Sequence, residues 1–159
     1  MTEILSDVRR IHGKRERLWA LFHDPEALTQ VIPGAEVIEK VADDAFDGIL
    51  ASRIQFMTIR ADVEATLADR QEPRHLCLRM HGRPRGLAGT FTVVIDIDLI
   101  EAEGRPGLET DLRYVVDLEV TGRLASFGTP ILRETLRRQI SQLATNVDDF
   151  VARDQASIT

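Results

Sequence analysis

Residues 129–150 read TPILRETLRRQISQLATNVDDF, and this stretch decides the fold. Its apolar residues recur every three or four positions in one stripe, formed by Leu132, Leu136, Ile140, Leu143, Val147 and Phe150. Charged residues such as Arg133, Arg137 and Asp148 fall largely off that stripe, as expected for an amphipathic α-helix with one buried face. A helix from Gly122 onward is long enough to cover a whole sheet, because an α-helix advances about 1.5 Å per residue.

The start of this helix has two interpretations, because Pro130 follows Thr129. A proline inside a helix removes a hydrogen bond and kinks it, whereas a proline in the first turn is tolerated. Either a continuous helix from Gly122 to Arg153 bends at Pro130, or Thr129 caps a new helix. We favour the bend.

Between Ala35 and Val120 the apolar residues alternate with polar ones, which is the period of β-strands. The alternation is clearest over residues 59–67, 76–81, 91–99 and 112–119. Turn-forming residues separate these segments, as at Glu72-Pro73 and between Gly82 and Gly89. Strands with one wet and one buried face predict an antiparallel meander of about six strands.

The N-terminal segment adds a strand and two short helices. Residues 2–13 indicate the strand, and residues 14–22 the first helix. Residues 25–31 indicate a second helix, with Asp24 as its cap and Pro25 in its first turn.

These elements predict a single α+β domain over residues 1–159, with a frayed tail over residues 153–159. Six to seven strands form a curved antiparallel sheet, the last helix covers its hollow face, and the short helices close one end. Small residues at inward positions, Ala61, Ala65 and Gly89, favour a cavity between sheet and helix.

Composition excludes several function classes. The chain has 26 acidic and 20 basic residues and a net charge of −6, which disfavours nucleic-acid binding. Its single cysteine, Cys77, fits a reducing compartment. The first residues lack the basic and apolar regions of a signal peptide, and no apolar run approaches the roughly 20 residues of a membrane span. We expect a cytoplasmic protein.

The sequence gives only weak signals for catalytic or metal-binding residues. His75 and Cys77 share one strand face, but the alternation places both in water, and a metal needs further ligands. Asp96 and Asp98 also face outward, where neither carboxyl would be tuned for catalysis. No serine lies in a nucleophile elbow. We predict no metal, no intrinsic cofactor and no catalytic residue.

The predicted ligand site is the cavity itself. Its wall is predicted to comprise Val63, Leu78, Phe91, Val93, Tyr114 and Val116 on strands, and Phe127, Ile131 and Thr135 on the last helix. Tyr114 is the one inward residue able to give an oriented hydrogen bond to a quinone or headgroup carbonyl. The alternative is that these residues pack a filled core, the usual fate of apolar stripes.

A basic run, residues 79–86, contains Arg83 and Arg85 in an otherwise acidic protein. The two arginines are candidates for contact with an anionic lipid surface or an acidic partner at the mouth of the cavity. A solvated hairpin loop is the other interpretation.

Several motifs carry a resemblance to a known family. Residues 18–28 read LWALFHDPEAL and are followed by Ile32-Pro33-Gly34. Later come GLAGTF at residues 86–91 and GRLASFG at residues 122–128. In order and spacing, over residues 2–153, they resemble the CoxG family, named for the G subunit of carbon monoxide dehydrogenase.

The resemblance implies the START-like (SRPBCC, Bet v 1-like) helix-grip fold. It further implies a non-catalytic accessory protein that binds a lipid or quinone and acts beside a carbon monoxide dehydrogenase-type molybdenum hydroxylase. That role includes the enzyme's maturation or its recruitment to the inner face of the membrane. Two alternatives remain: an enzyme of the polyketide cyclase or aromatase kind that uses the same pocket, and a ligand-free interaction module.

Overall fold

The computed structural model describes the backbone of residues 2–158 and the side chains of residues 2–153. Its elements are, in chain order, β1 (Thr2–Ile11), α1 (Arg15–Phe22), α2 (Pro25–Val31), β2 (Ala35–Ala42), β3 (Ala45–Ile54), β4 (Met57–Gln71), β5 (His75–Pro84), β6 (Phe91–Glu101), β7 (Thr110–Val120), α3 (Gly122–Ala125) and α4 (Thr129–Ile158). Side chains after residue 153 lie outside the described range. The predictions of a single domain over residues 1–159 and of a frayed tail over residues 153–159 therefore remain predictions.

The seven strands form one antiparallel sheet in the order β1-β7-β6-β5-β4-β3-β2. Six strands follow one another as a meander, and β1 pairs with β7 so that the first and last strands are neighbours. The two short helices follow β1, and the long α4 comes last. The predicted α+β fold with a curved sheet is therefore confirmed. The first strand ends at Ile11, two residues earlier than the alternation indicated.

The core lies between the hollow face of the sheet and the helices. On α4 the predicted stripe is buried at Leu132, Ile140 and Val147. From α1, Leu18 is completely buried against the same cluster. On β7, Val116 is also completely buried. Burying apolar side chains in this way is the main favourable term of folding.

Polar contacts fix α4 across the hollow of the sheet. Near β1, the backbone N–H of His12 donates to Asp148 Oδ1 at 2.7 Å. On the other side, Arg138 donates to the carbonyl of Arg53 on β3 at 3.3 Å. Asn146 donates to the carbonyl of Val31 at the end of α2 at 2.9 Å. The helix is thus held to both sides of the sheet and to the short helices.

The predicted bend at Pro130 is wrong. The helix is interrupted, because α3 ends at Ala125 and α4 begins at Thr129. Gly128 lies between them with a φ of 90°, which L side chains rarely adopt, and its carbonyl accepts from Leu132 N at 3.1 Å. Pro130 therefore occupies the first turn of α4, where its missing N–H costs nothing.

The α2 cap is confirmed: the Asp24 side chain accepts a hydrogen bond from Glu26 N at 3.0 Å. Pro25 begins that helix, as the sequence predicts.

Among the described residues, none of the helices has the length and apolar character needed to cross a membrane.

Candidate functional site: an apolar cavity beneath the last helix

Two adjacent chambers, which share part of their walls, lie between the sheet and α4. The first, here called the α2 chamber, is bounded by α2 and by the second half of α4, and it holds about 1030 Å³ of empty space, including the solvent at its opening. The second, the α3 chamber, extends toward α3 and measures about 1110 Å³ on the same basis. Both have walls formed in part by Leu50, Leu78, Met80 and Ile140. The space under the helix is therefore not a filled core.

Small inward residues help to keep the chambers open. Ala65 lines the α2 chamber, and Ala61 lines the α3 chamber. Gly89 does not contribute, contrary to the prediction. Its α-carbon lies against Thr121, whose carbonyl oxygen would be 2.1 Å from a Cβ at Gly89. Gly89 thus permits a close approach of two loops rather than leaving room for a ligand.

The walls of the chambers are almost entirely apolar. In the α3 chamber, the Thr135 hydroxyl donates to the carbonyl of Ile131 at 2.9 Å, and Gln139 donates to the hydroxyl of Ser52. The polar groups of that chamber therefore have partners within the protein. In the α2 chamber the wall includes Tyr114 and the exposed Asp47.

Tyr114 is the notable polar group of the site. Its side chain is largely buried, and its hydroxyl has no hydrogen-bond partner among the described residues. Burial raises the pKa of this phenol, and the negative charge of Asp7 adds to the effect. At neutral pH the hydroxyl therefore stays protonated and remains a hydrogen-bond donor.

Six of the nine predicted wall residues line the chambers. Val63, Leu78 and Tyr114 lie in the α2 chamber, and the α3 chamber includes Leu78 again together with Phe91, Val93 and Thr135. The structure does not bring the other three to the wall. Val116 lies in the packed core instead. Phe127 and Ile131 lie in an apolar cluster with Leu124.

Sequence reasoning missed the part of the wall that comes from α2 and from the second half of α4. These residues include Leu28 and Val31 on α2, and Ile140, Leu143, Ala144 and Val147 on α4. The stripe on α4 already placed three of them on the buried face. The sequence pattern indicates which residues are buried, but it does not indicate which of them border empty space.

The two predicted surface arginines differ in their contacts. Arg85 forms a two-point ion pair with Asp62, at 2.7 and 3.0 Å, and the hydrogen bond lowers the pKa of that carboxyl. Arg83 is exposed and forms no ion pair within the described part of the chain. Of these two arginines, only Arg83 therefore has a charge that no acidic side chain of the described residues compensates.

The prediction that Cys77 lies in water is wrong, because only 2% of the residue is exposed. It sits on the central strand β5 between Ala68 and Asp96 on the neighbouring strands. Burial raises the pKa of its thiol. Its neighbour His75 instead pairs with Asp98 at 2.8 Å. Within residues 2–153, no group of three His, Cys, Asp or Glu side chains could hold a metal ion.

Comparison with known families gives one match over most of the chain. The model of the CoxG family, the G subunit of carbon monoxide dehydrogenase, matches residues 9–152. Among curated protein sequences, none matches this chain.

Solved structures share the fold. A conserved protein from Geobacillus kaustophilus has a TM-score of 0.83 at 23% identity, with 93% of this chain and 94% of that chain covered. A START superfamily protein from Mycobacterium smegmatis has a TM-score of 0.70 at 13% identity, with 96% and 99% covered. The Zhui aromatase/cyclase from Streptomyces sp. R1128 has a TM-score of 0.69 at 11% identity, with 94% and 93% covered. At these identities the likeness concerns the fold alone.

Proposed function

Because the chain belongs to the carbon monoxide dehydrogenase CoxG family, we propose that it is a non-catalytic accessory protein that carries an apolar molecule. The molecule is a lipid or a quinone, and the site is the pair of chambers beneath α4. The partner is a molybdenum hydroxylase of the carbon monoxide dehydrogenase type, a role that the family's name suggests. The protein has no intrinsic cofactor in this proposal.

The observation that carries the proposal is an apolar wall around open space. Water in such a chamber finds almost no hydrogen-bond partners, so an apolar guest replaces it at little cost. Removing roughly 300 Å² of apolar ligand surface from water contributes on the order of 7 kcal/mol, at about 25 cal/mol per Å². Before the cost of association, this contribution corresponds to a dissociation constant on the order of 10 μM, so micromolar binding without a charged anchor requires a guest that buries more apolar surface than this.

Tyr114 supplies the orienting contact in this proposal. Its hydroxyl is unpartnered and protonated, and the residue forms part of the wall of the α2 chamber. A quinone or ester carbonyl that accepts this hydrogen bond would be fixed at one end while its apolar part fills the rest. A protonated phenol in a low-dielectric site loses little to competing water, so the bond has its full effect.

Catalysis of the cyclase kind is less well supported. A cyclase needs acid and base groups that converge on the substrate. The titratable residues of the described wall are Tyr114 and the exposed Asp47. The raised pKa of Tyr114 makes it a poor base near neutral pH. A pocket with this wall is better suited to holding a molecule than to transforming it.

The test is native mass spectrometry of the intact protein as purified from its host, together with titration by a neutral apolar dye, N-phenylnaphthylamine. We expect a co-purifying apolar mass and micromolar dye binding. Ala65→Phe places a ring in the α2 chamber and should reduce dye affinity at least about tenfold, by filling the space that the guest needs. Thr66→Phe is the matched control, because Thr66 is the next residue of β4 and is exposed on the other face.

Three results would overturn the proposal. The first is an absence of any bound mass and of dye binding. The second is equal loss of dye affinity in Ala65→Phe and Thr66→Phe. The third is turnover of a polyketide substrate that Tyr114→Phe abolishes. For the partner, tagged protein should retain the molybdenum hydroxylase from its own host, and failure to do so removes that part of the proposal.

A further inference from the structure

The helix α4 meets the rest of the protein along two lines of contact, one on each side of the helix. The first, here called the β1 seam, joins the second half of α4 to β1 and to the residues just after it. Along this seam Arg9 donates to the hydroxyls of Ser141 and Thr145, at 3.3 and 3.2 Å. Asp148 accepts from the backbone N–H of His12 at 2.7 Å and lies 3.0 Å from Nδ1 of the same residue. Hydrogen bonds therefore hold this seam over about two turns of the helix.

The β1 seam is also closely packed. Val147 and Val151 are almost completely buried, in one apolar cluster with Ile11. A Cβ at Gly13 would stand 2.9 Å from Cγ2 of Val151, so the backbone touches the helix there. Among the described residues, neither chamber has a wall residue from β1. A seam packed in this way leaves no space for a guest to pass, and it lies away from the chambers.

The second line of contact, here called the β3 seam, joins α4 to β3 and to the end of α2, and it runs along the chambers. On β3, Leu50 and Ser52 are wall residues, and on the helix Gln139 and Leu143 are. Side chains that border empty space lack contacts on one side, so they hold a seam together less firmly. Parting the β3 seam would open the chambers directly, whereas parting the β1 seam would expose only packed core.

Polar side chains of α4 bridge the β3 seam and keep it closed. Gln139 donates to the hydroxyl of Ser52, and Asn146 donates to the carbonyl of Val31 at 2.9 Å. Such bonds exchange with bonds to water, so each contributes little net free energy and can break without unfolding the protein. They are suited to a contact that opens and closes repeatedly.

The connection at the start of α4 permits this movement. Gly128 has a φ of 90°, and the described residues place only Pro130 Cδ, at 3.9 Å, near the position of its missing Cβ. The preceding α3 is fixed, because a Cβ at Gly122 would stand 2.6 Å from the α-carbon of Gly89. The helix α4 can therefore turn without carrying α3 with it, since a few hinge residues at the end of an element can absorb the change of angle.

We propose that the β3 seam is the gate of the cavity. The helix turns about the β1 seam, the contacts of Gln139 and Asn146 break, and the guest passes between α4 and β3. The inference rests on the proposed carrier function, because a gate has a role only if the chambers take up a guest. Opening of the gate then sets the rates of uptake and release, whereas the chamber walls set the affinity.

The first test fixes each seam with a short reducible thiol reagent, propanediyl bismethanethiosulfonate. Ser52→Cys with Gln139→Cys allows a bridge across the β3 seam, and His12→Cys with Asp148→Cys is the matched pair at the β1 seam. Cys77 is buried, and the intact mass checks that each chain carries one bridge. Stopped-flow fluorescence of N-phenylnaphthylamine then gives the rates of association and release, with the same variant after reduction as the reference.

The expected result is specific to a gate. The β3 bridge should slow association and release by the same factor, at least about tenfold, because a gate lies on the path in both directions. The β1 bridge should change neither rate. Unchanged rates with the β3 bridge, or equal slowing by both bridges, would overturn the gate while dye binding leaves the carrier function in place. Slowing of release alone would also overturn it, since the seam would then act as part of the wall.

Two adjacent residues of α4 provide a second test that needs no bridge. Asn146→Ala removes a contact across the β3 seam, and Thr145→Ala removes one across the β1 seam. We expect Asn146→Ala to speed association and release about fivefold, the equivalent of one hydrogen bond, and Thr145→Ala to change neither rate. Equal effects of the two variants contradict the gate. Absence of dye binding by the unaltered protein would remove the carrier function and the gate together.

Discussion

The ring of Phe91 lies directly across the backbone of Gly82, and a Cβ at Gly82 would stand 2.1 Å from Cζ of that ring. The two residues are register partners on β5 and β6, and Phe91 lines the α3 chamber. A glycine at this point of a central strand thus sets the position of one wall of the cavity. Its absent side chain leaves the space that the ring occupies.

Gly82→Ala should therefore affect ligand binding more than stability. The added methyl group pushes the Phe91 ring, and the ring can move toward the adjacent empty chamber. We expect a loss of stability below about 1.5 kcal/mol, because the displaced atoms have somewhere to go. Dye affinity should fall about tenfold as the ring fills the α3 chamber. Urea denaturation and dye titration measure the two effects.

A double-mutant cycle with Phe91→Leu checks the mechanism. The shorter side chain no longer reaches Gly82, so Gly82→Ala should then leave dye affinity unchanged. Gly86→Ala is the comparison, because Gly86 has a φ of 75° and nothing within 4 Å of the added Cβ. Its cost is backbone strain alone and should not depend on Phe91. Equal coupling of both glycine variants to Phe91 would contradict this account.

Much of the fold is encoded locally and could be predicted from the sequence. Alternation along β4 to β7 fixes which residues face the helix, because a shift of one residue would turn every apolar side chain into water. The cap of α2 is equally local: Asp24 and Pro25 suffice to begin a helix. The order of these elements then leaves few ways to bury the apolar stripe of α4.

The wall residues that were predicted wrongly depend on side-chain packing, which no local sequence pattern reports. Phe127 and Ile131 flank the start of α4, but the break at Gly128 turns that region toward Leu124. Val116 shares a strand face with Tyr114, yet it is completely covered while Tyr114 borders open space. Which inward residues meet a void depends on the summed volumes of their neighbours.

The contact between Gln139 and Ser52 links α4 to β3 at the wall of the α3 chamber. Gln139→Ala should lower the free energy of unfolding by about 1 kcal/mol, the usual value of one hydrogen bond. It should also speed release of a bound dye, because this side of the helix is held to β3 by few contacts. Urea denaturation and stopped-flow dissociation of N-phenylnaphthylamine measure the two quantities.

Gln142→Ala is the matched control for that prediction. Gln142 is exposed on the same helix and donates to Asn146 within α4 at 2.8 Å, so its loss leaves the link to the sheet intact. Dye release that is equally fast in both variants would show that the Gln139 link does not restrain the helix.

Cys77 should resist alkylation in the folded protein. Its thiol is buried, and burial together with the nearby Asp96 raises its pKa, so the reactive thiolate is scarce at neutral pH. We expect iodoacetamide to react at least about a hundredfold more slowly than with the urea-unfolded chain, since reaction requires opening of the sheet. Mass spectrometry follows the reaction at the chain's one cysteine. Equal rates in both states would place the thiol in solvent.

Tyr114 can be titrated directly, because it is the chain's one tyrosine and its phenolate absorbs near 295 nm. Burial, then the charge of Asp7, raises the pKa of this phenol above that of the unfolded chain, which is about 10. The contribution of the neutral phenol to stability is therefore fully present below pH of about 10 and is lost as the pH rises through the folded-state pKa. Tyr114→Phe should remove this alkaline loss and lower the affinity for a short-chain benzoquinone about tenfold, while dye affinity stays unchanged. A phenol that titrates as in the unfolded chain, or equal loss of quinone and dye affinity in Tyr114→Phe, would contradict a buried hydroxyl that orients a carbonyl in the chamber.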